Sequence, residues 1–156
     1  MAERLIALHS GEARYPRQHP KNDDRLASAV SNQTVKEIDM NYVDGFVAAV
    51  PMANREMYRQ YALTAALVFR EYGALNVVEC WGDDVPEGKL TSFSMAVKRE
   101  ADETVVFSWV TWPSRQVRDE AWKKVMADPR LQPDANPMPF DGKRLIYGGF
   151  KVIVEA

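Results

Sequence analysis

The aromatic side chains of this chain are concentrated in residues 40–156, which limits where a folded core can form. That stretch holds all four tryptophans and all six phenylalanines, whereas residues 1–39 contain a single aromatic residue, Tyr15. Large aromatic side chains supply much of the apolar area that a domain buries. We therefore predict one folded domain over residues 40–156 and expect residues 1–39 to be a disordered leader. The alternatives for the leader are a regulatory arm and a mis-started extension, with Met40 as the natural first residue.

Composition argues against several classes of protein. The formal net charge of −2 lacks the basic excess of a dedicated nucleic-acid binder, so nucleic acid is not an expected partner. Both histidines precede residue 40, and the domain has one cysteine, Cys80, so we expect no metal site and no disulfide. We also predict no cofactor. No apolar run approaches the roughly 18 residues of a membrane span, and the N-terminus lacks the features of a secretory signal, so we expect a cytoplasmic protein.

Residues 40–156 alternate between strand and helix patterns. Strands are predicted at residues 42–50, 75–81, 92–98, 104–112 and 147–154, and helices at 54–72 and 114–127. The first helix should begin at Asn54 and end at Gly73. Its inward stripe is predicted to comprise Met57, Tyr61, Ala65, Val68 and Tyr72. The outward face of the second helix is predicted to hold Arg115, Arg118, Asp119, Lys123 and Lys124.

This order of elements predicts an α+β fold, a ferredoxin-like βαββαβ-type protomer with an extra strand. Two helices can cover only one face of such a sheet. Yet both faces of the predicted strands are apolar, because Val105, Phe107 and Trp109 alternate with other apolar residues. The uncovered face needs a partner, and the simplest one is a second copy of the same sheet. We therefore predict a symmetric homodimer that forms a dimeric α/β barrel.

Three stretches carry a resemblance to a known family. They are Tyr42-Val-Asp-Gly-Phe46, Val78-Glu-Cys-Trp81 and the long segment from Met138 to Phe150. With them, the chain resembles the YbaA-like bacterial family, whose domain has no known function, over nearly all of residues 40–156. The resemblance implies a dimeric α/β barrel with a ferredoxin-like protomer, and it implies no established reaction. Some family names suggest an association with RNA, so a non-catalytic dimer that acts through its surface is one alternative.

Glu79 and Trp81 are the first candidates for a ligand pocket. They are two residues apart on a predicted strand and so share one face. A carboxylate beside an indole in a cavity loses hydration, which raises its pKa toward that of a general base. The alternative is that Glu79 lies at the barrel rim or pairs with an arginine such as Arg144.

Asp44 is the second notable carboxylate, because it interrupts an apolar strand that also contains Phe46. A buried aspartate must be hydrogen-bonded or neutral. Asp44 and Glu79 together would form a polar pair in a cavity lined by Phe46, Trp81 and Trp109. The alternative for Asp44 is a hydrogen bond to a loop amide near the start of its strand.

Arg144 follows the turn dipeptide Asp141-Gly142 and precedes the last strand. It is a candidate for receiving an anionic ligand. In the alternative, Asp141 and Arg144 fix the proline-rich loop to the body of the domain. Trp109 similarly is a candidate for stacking on a ligand, with core or interface packing as its alternative.

These candidates lead to a prediction of function. We predict that the barrel cavity binds a small apolar or aromatic molecule. One alternative is a cofactor-free enzyme, similar to a monooxygenase or an isomerase, that uses a carboxylate as base. Whether the protein is an enzyme is left open by the residues alone.

Overall fold

The computed structural model describes residues 41–156 of the chain, so the predicted leader, 1–39, lies outside the described residues. Within them the chain forms four strands, two long helices and one short helix. In chain order these are β1 (Tyr42–Pro51), α1 (Arg55–Glu71), β2 (Asn76–Trp81), α2 (Phe93–Ala96), β3 (Glu103–Trp112), α3 (Arg115–Ala127) and β4 (Ile146–Lys151).

The four strands form one antiparallel sheet in the order β2-β3-β1-β4. β1 and β3 are the central strands, and the two helices α1 and α3 connect the strands as in a βαββαβ unit. The predicted α+β class and ferredoxin-like protomer are therefore confirmed. Of the helices in residues 41–156, none combines the length and apolar character needed to cross a membrane.

The extra strand predicted at 92–98 is wrong, because this segment forms the short helix α2. The Ser92 hydroxyl accepts a hydrogen bond from the Met95 amide and so caps the helix. Val97 is then fully buried against Ala49 and Val105. A local cap and one buried anchor therefore determine the structure here, rather than the alternation of apolar residues.

α1 ends as predicted, at a glycine with positive φ, Gly73. Its start differs in detail, because the Asn54 side chain does not cap the helix but donates to the Pro139 carbonyl at 2.8 Å. Its inward face agrees with the predicted stripe at Val68, which is fully buried, and differs by one residue in the first two turns. Tyr58 is buried, whereas Met57 is 56% exposed. Tyr58 faces inward because it has a polar partner on the sheet, described below.

β4 ends at Lys151, three residues before the predicted end. Lys151 pairs with Tyr42, the first residue of β1, so residues beyond it have no strand to pair with. Ile153 and Val154 are consequently exposed.

The sheet has two distinct faces. On the helix face, α1 and α3 pack over side chains such as Ala48, Val106 and Trp112. On the opposite face, which we call the open face, the segment between β2 and β3 covers one end, around Ala49 and Val105, and its Phe93 ring lies 6.0 Å from that of Phe107.

Candidate functional site

A groove of about 670 Å³ lies on the helix face between α1 and the edge strand β2. Aliphatic and aromatic side chains supply most of its walls, among them Tyr58, Ala62, Leu63, Ala66, Val77 and Trp81. Glu79 also lines it, between Val77 and Trp81 on the same face of β2. The groove thus brings together two of the predicted site residues, Glu79 and Trp81.

Glu79 is held by a tyrosine of α1. The Tyr58 hydroxyl donates to Oε2 of Glu79 at 2.6 Å. Glu79 also lies opposite Ser108 of β3, whose hydroxyl hydrogen-bonds to the same carboxyl group. Although the residue as a whole is exposed on the edge strand, burial of its carboxyl group raises the pKa of Glu79, and the hydrogen bonds from Tyr58 and Ser108 oppose this shift only in part.

Aromatic rings surround this hydrogen bond. The Tyr58 ring centroid lies 6.2 Å from that of Tyr61, 5.8 Å from that of Phe140 and 6.1 Å from that of Trp81. Burial and the charge of Glu79 raise the pKa of Tyr58 above its usual value, and the same causes raise the pKa of Tyr61 to about 12. Both phenols therefore stay protonated at neutral pH, and Tyr58 acts as a donor to Glu79.

The mouth of the groove carries three charged side chains of α1. Arg59 donates two hydrogen bonds of 2.9 Å to the Glu56 carboxylate, so these two charges are paired. The Arg55 guanidinium lies 5.7 Å from the centroid of the Trp81 ring. Within the described part of the chain, Arg55 has no carboxylate at salt-bridge distance. The mouth therefore carries a net positive charge.

Asp44 lies on the same face as Glu79 but belongs to the core under α3. Its carboxylate accepts hydrogen bonds from the indoles of Trp112 and Trp122, at 2.9 and 2.8 Å, and it is 1% exposed. Arg118 completes the site, with Nε at 2.9 Å and Nη2 at 2.7 Å from Oδ1. Asp44 thus neither bonds a loop amide nor forms the expected polar pair with Glu79, because β3 lies between their strands and they are opposite different residues of it, Val110 and Ser108.

Arg118 was expected to face solvent, and the structure corrects this: its side chain is 13% exposed because Asp44 draws it inward. Phe46 likewise lies in the core, where its ring centroid is 6.4 Å from that of Trp122. Neither residue lines the groove.

Trp109 and Arg144 lie away from the groove. Trp109 is on the open face, so the sheet separates it from Trp81 and Glu79. Arg144 donates to both carboxylate oxygens of Glu103, at 2.6 and 2.7 Å, and to Asp141 at 3.3 Å. Arg144 pairs with Glu103 rather than with Glu79. Its contacts are those expected if Asp141 and Arg144 fix the proline-rich loop to the body of the domain.

Sequence reasoning missed Tyr58 and Arg55. The only signal for Tyr58 was a second apolar spacing, which runs through Ala62 and meets the predicted stripe at Val68. Periodicity does not choose between two such stripes. The side chains of residues 41–156 include no group of three or more histidine, cysteine, aspartate or glutamate residues that could hold a metal ion.

Comparison with known proteins agrees with the motifs in the sequence. A family described as a protein of unknown function (DUF1428) matches residues 41–142. The uncharacterized protein YbaA of Escherichia coli K12 is 57% identical over 116 residues, which cover 74% of this chain and 99% of YbaA, and YbaA of Shigella flexneri matches to the same extent.

Among solved structures, that of a mutant of SnoaB, a cofactor-independent oxygenase from Streptomyces nogalater, is similar at 16% identity. It has a TM-score of 0.43 and covers 75% of this chain and 96% of SnoaB. The predicted membership of the YbaA-like family is confirmed by the sequence matches alone. The chain belongs to the DUF1428 family of proteins of unknown function.

Proposed function

We propose that this protein binds a small aromatic or apolar molecule in the groove between α1 and β2. One observation carries the proposal: a carboxylate and a phenol, Glu79 and Tyr58, are hydrogen-bonded to each other in a groove with mostly apolar walls. Binding sites for small molecules typically have about 300–1,000 Å³ of space, apolar walls and a few placed polar groups. A groove of about 670 Å³ fits this description.

The groove replaces the cavity expected between two sheets. Glu79 and Trp81 lie on the helix face, so a chamber between two open faces would not contain them. Ligand binding in the groove therefore does not depend on dimerisation.

Phenol is a suitable first probe, titrated into isotope-labelled protein while backbone amide NMR shifts are followed. Binding should move the amide signals of α1 and β2. Ala66→Trp should fill the groove and abolish these shifts, whereas Ala127→Trp, at an exposed position of α3, should leave them intact. Equal responses in both variants, or shifts confined to another part of the sheet, would rule out the groove as the binding site.

A second candidate function is proton transfer by a cofactor-free enzyme, favoured by the raised pKa of Glu79. A carboxylate base can remove a proton from carbon next to a carbonyl group, and the resulting enolate can take the proton back at another position. Phenylacetone in deuterated water tests this chemistry, because abstraction exchanges its acidic protons for deuterium. We expect the wild-type protein to exchange these protons faster than buffer does. Glu79→Gln should return the exchange to the buffer rate. Exchange at the buffer rate would leave the groove as a binding site alone.

The open face supports a homodimer. One charged side chain, Glu103, points to this face at the end of β3; it is 5% exposed and is paired with Arg144. The other residues that point to this face in the paired strands are uncharged; they are Val43, Gly45, Val47, Ala49, Pro51, Asn76, Val78, Cys80, Val105, Phe107, Trp109, Thr111, Ile146, Gly148 and Phe150. Phe107 is 43% exposed and Phe150 is 60% exposed. An uncharged apolar surface of this extent marks an interaction site. A second copy offers an equally apolar face, and two such faces can pack about a two-fold axis.

Sedimentation at micromolar concentration tests the dimer. Phe107→Lys places a charge in the middle of the open face and should give a monomer. Leu67→Lys makes the same kind of change at an exposed apolar residue of α1 and should leave the dimer unchanged. A wild-type protein that sediments as a single 17.7 kDa species would contradict the proposal.

A further inference from the structure

The groove presents two polar groups of different character to a ligand. Oε2 of Glu79 accepts from Tyr58 at 2.6 Å, and a carboxylate has capacity to accept further hydrogen bonds. Of the three charged side chains of α1 at the mouth, Arg55 is the one with no ionic partner among residues 41–156. Glu79 can thus accept a hydrogen bond from a ligand, and Arg55 can bind an anionic group of the ligand.

Arg55 and the Glu79–Tyr58 pair both adjoin Trp81. Arg55 precedes Tyr58 by three residues on α1, which corresponds to about 4.5 Å along the helix axis. Trp81 contacts both of them, with its ring 5.7 Å from the Arg55 guanidinium and 6.1 Å from the Tyr58 ring. An aromatic ligand beside Trp81 would therefore adjoin both Arg55 and the Glu79–Tyr58 pair.

We infer that the groove receives a planar aromatic acid that carries a hydroxyl group, with the hydroxyl donating to Glu79 and the anionic group facing Arg55. This inference rests on the proposed function and names its ligand class. An arginine recognises a carboxylate through two parallel hydrogen bonds, which gives the anionic end a defined orientation. Tyr58 is then a positioning residue, because its hydrogen bond orients the Glu79 carboxylate.

Four single-ring probes separate the two contacts: para-hydroxybenzoate, benzoate, phenol and benzene. Each is titrated into labelled protein, and its dissociation constant is taken from the amide shifts of α1 and β2. Para-hydroxybenzoate should bind about tenfold more tightly than either phenol or benzoate, because a hydrogen bond to a charged group contributes roughly that factor or more. Benzene should bind most weakly.

Two variants assign the contacts to residues. Arg55→Gln should bind para-hydroxybenzoate no more tightly than phenol. Glu79→Gln should bind para-hydroxybenzoate no more tightly than benzoate. Lys123→Gln and Glu120→Gln, on the exposed surface of α3, make the same changes in charge and should keep both preferences.

The outcomes distinguish this inference from the proposed function. If all four probes bind equally in the groove, the ligand class is wrong and the binding site stands. If Arg55→Gln weakens phenol as much as para-hydroxybenzoate, Arg55 acts only by packing on Trp81 and the inference is overturned. If none of the probes moves the amides of α1 and β2, the proposed function fails together with the inference.

Discussion

Replacing Asp44 with asparagine removes a charge from a site whose neighbours all donate hydrogen bonds. Four N–H groups point at this carboxylate: one from each of the indoles of Trp112 and Trp122, and two from Arg118. The single oxygen of asparagine accepts two of them, and its amide group would face a donor. At least two donors then lose their acceptor in a place where Asp44 is 1% exposed.

The expected loss of stability follows from this count. Each buried donor without a partner costs about 1–3 kcal/mol, so two of them cost roughly 2–6 kcal/mol. This agrees with the roughly 3–5 kcal/mol lost when one partner of a buried ion pair is removed. The loss is large against the roughly 5–15 kcal/mol that stabilises a typical domain.

Urea unfolding followed by circular dichroism measures the effect, at a fixed protein concentration because a dimer unfolds in a concentration-dependent way. With a loss of about 4 kcal/mol and a slope of about 2 kcal/mol per molar, the midpoint of Asp44→Asn should fall by about 2 M.

The matched control is Asp119→Asn, since Asp119 also binds Arg118, at 2.9 Å, but its side chain is 46% exposed. Exposed ion pairs contribute about 0–1 kcal/mol, so this variant should unfold near the wild-type midpoint. Equal midpoints for Asp44→Asn and Asp119→Asn would refute the view that the donors around Asp44 require a charged acceptor.

Two further predictions concern Glu79 and Gly73. Burial raises the pKa of Glu79 above 4.5, so this group stabilises the folded state below that pH and loses the contribution as pH rises through the raised pKa. Glu79→Gln should therefore have a higher free energy of unfolding than the wild type at pH 7, and this difference should disappear toward pH 4. A difference in urea unfolding that does not change with pH would contradict this prediction. Gly73→Ala should lower stability by about 1–2 kcal/mol, because φ is 105° and the new Cβ would lie 3.3 Å from Val117 Cγ1. An unchanged melting temperature of Gly73→Ala would show that the backbone at this turn adjusts to the new side chain without strain.

Most of the fold was predictable because its signals are local. Alternation within β1 and β3 predicted both strands to within one residue, and Ser114 and Gly73 marked one end of each long helix. Alternation failed at residues 92–98, where the Ser92 cap and the burial of Val97 favour a short helix. Capping and burial there act on a segment too short for periodicity to distinguish strand from helix.

The candidate site was predictable only in part. Glu79 and Trp81 were placed on one face correctly because the strand period relates them directly. Trp109 was grouped with them wrongly, since the sequence does not show how two strands are paired and so does not show which residues of β3 share a face with β2. Tyr58 was missed because the rotation of α1 depends on its contact with Glu79, 21 residues away.

The sequence by itself determined the four strands of the sheet, the two long helices, their order and the apolar character of both faces of the sheet, because periods of two and 3.6 residues are properties of the local backbone. The tertiary structure decided that Asp44 is held by two tryptophans and an arginine from β3 and α3, while Glu79 faces a groove. Two carboxylates on similar apolar strands acquire different roles because their partners come from distant parts of the chain. The hydrogen-bonding capacity of those partners, which only packing brings together, decides whether a carboxylate is fully satisfied in the core or available to a ligand in a groove.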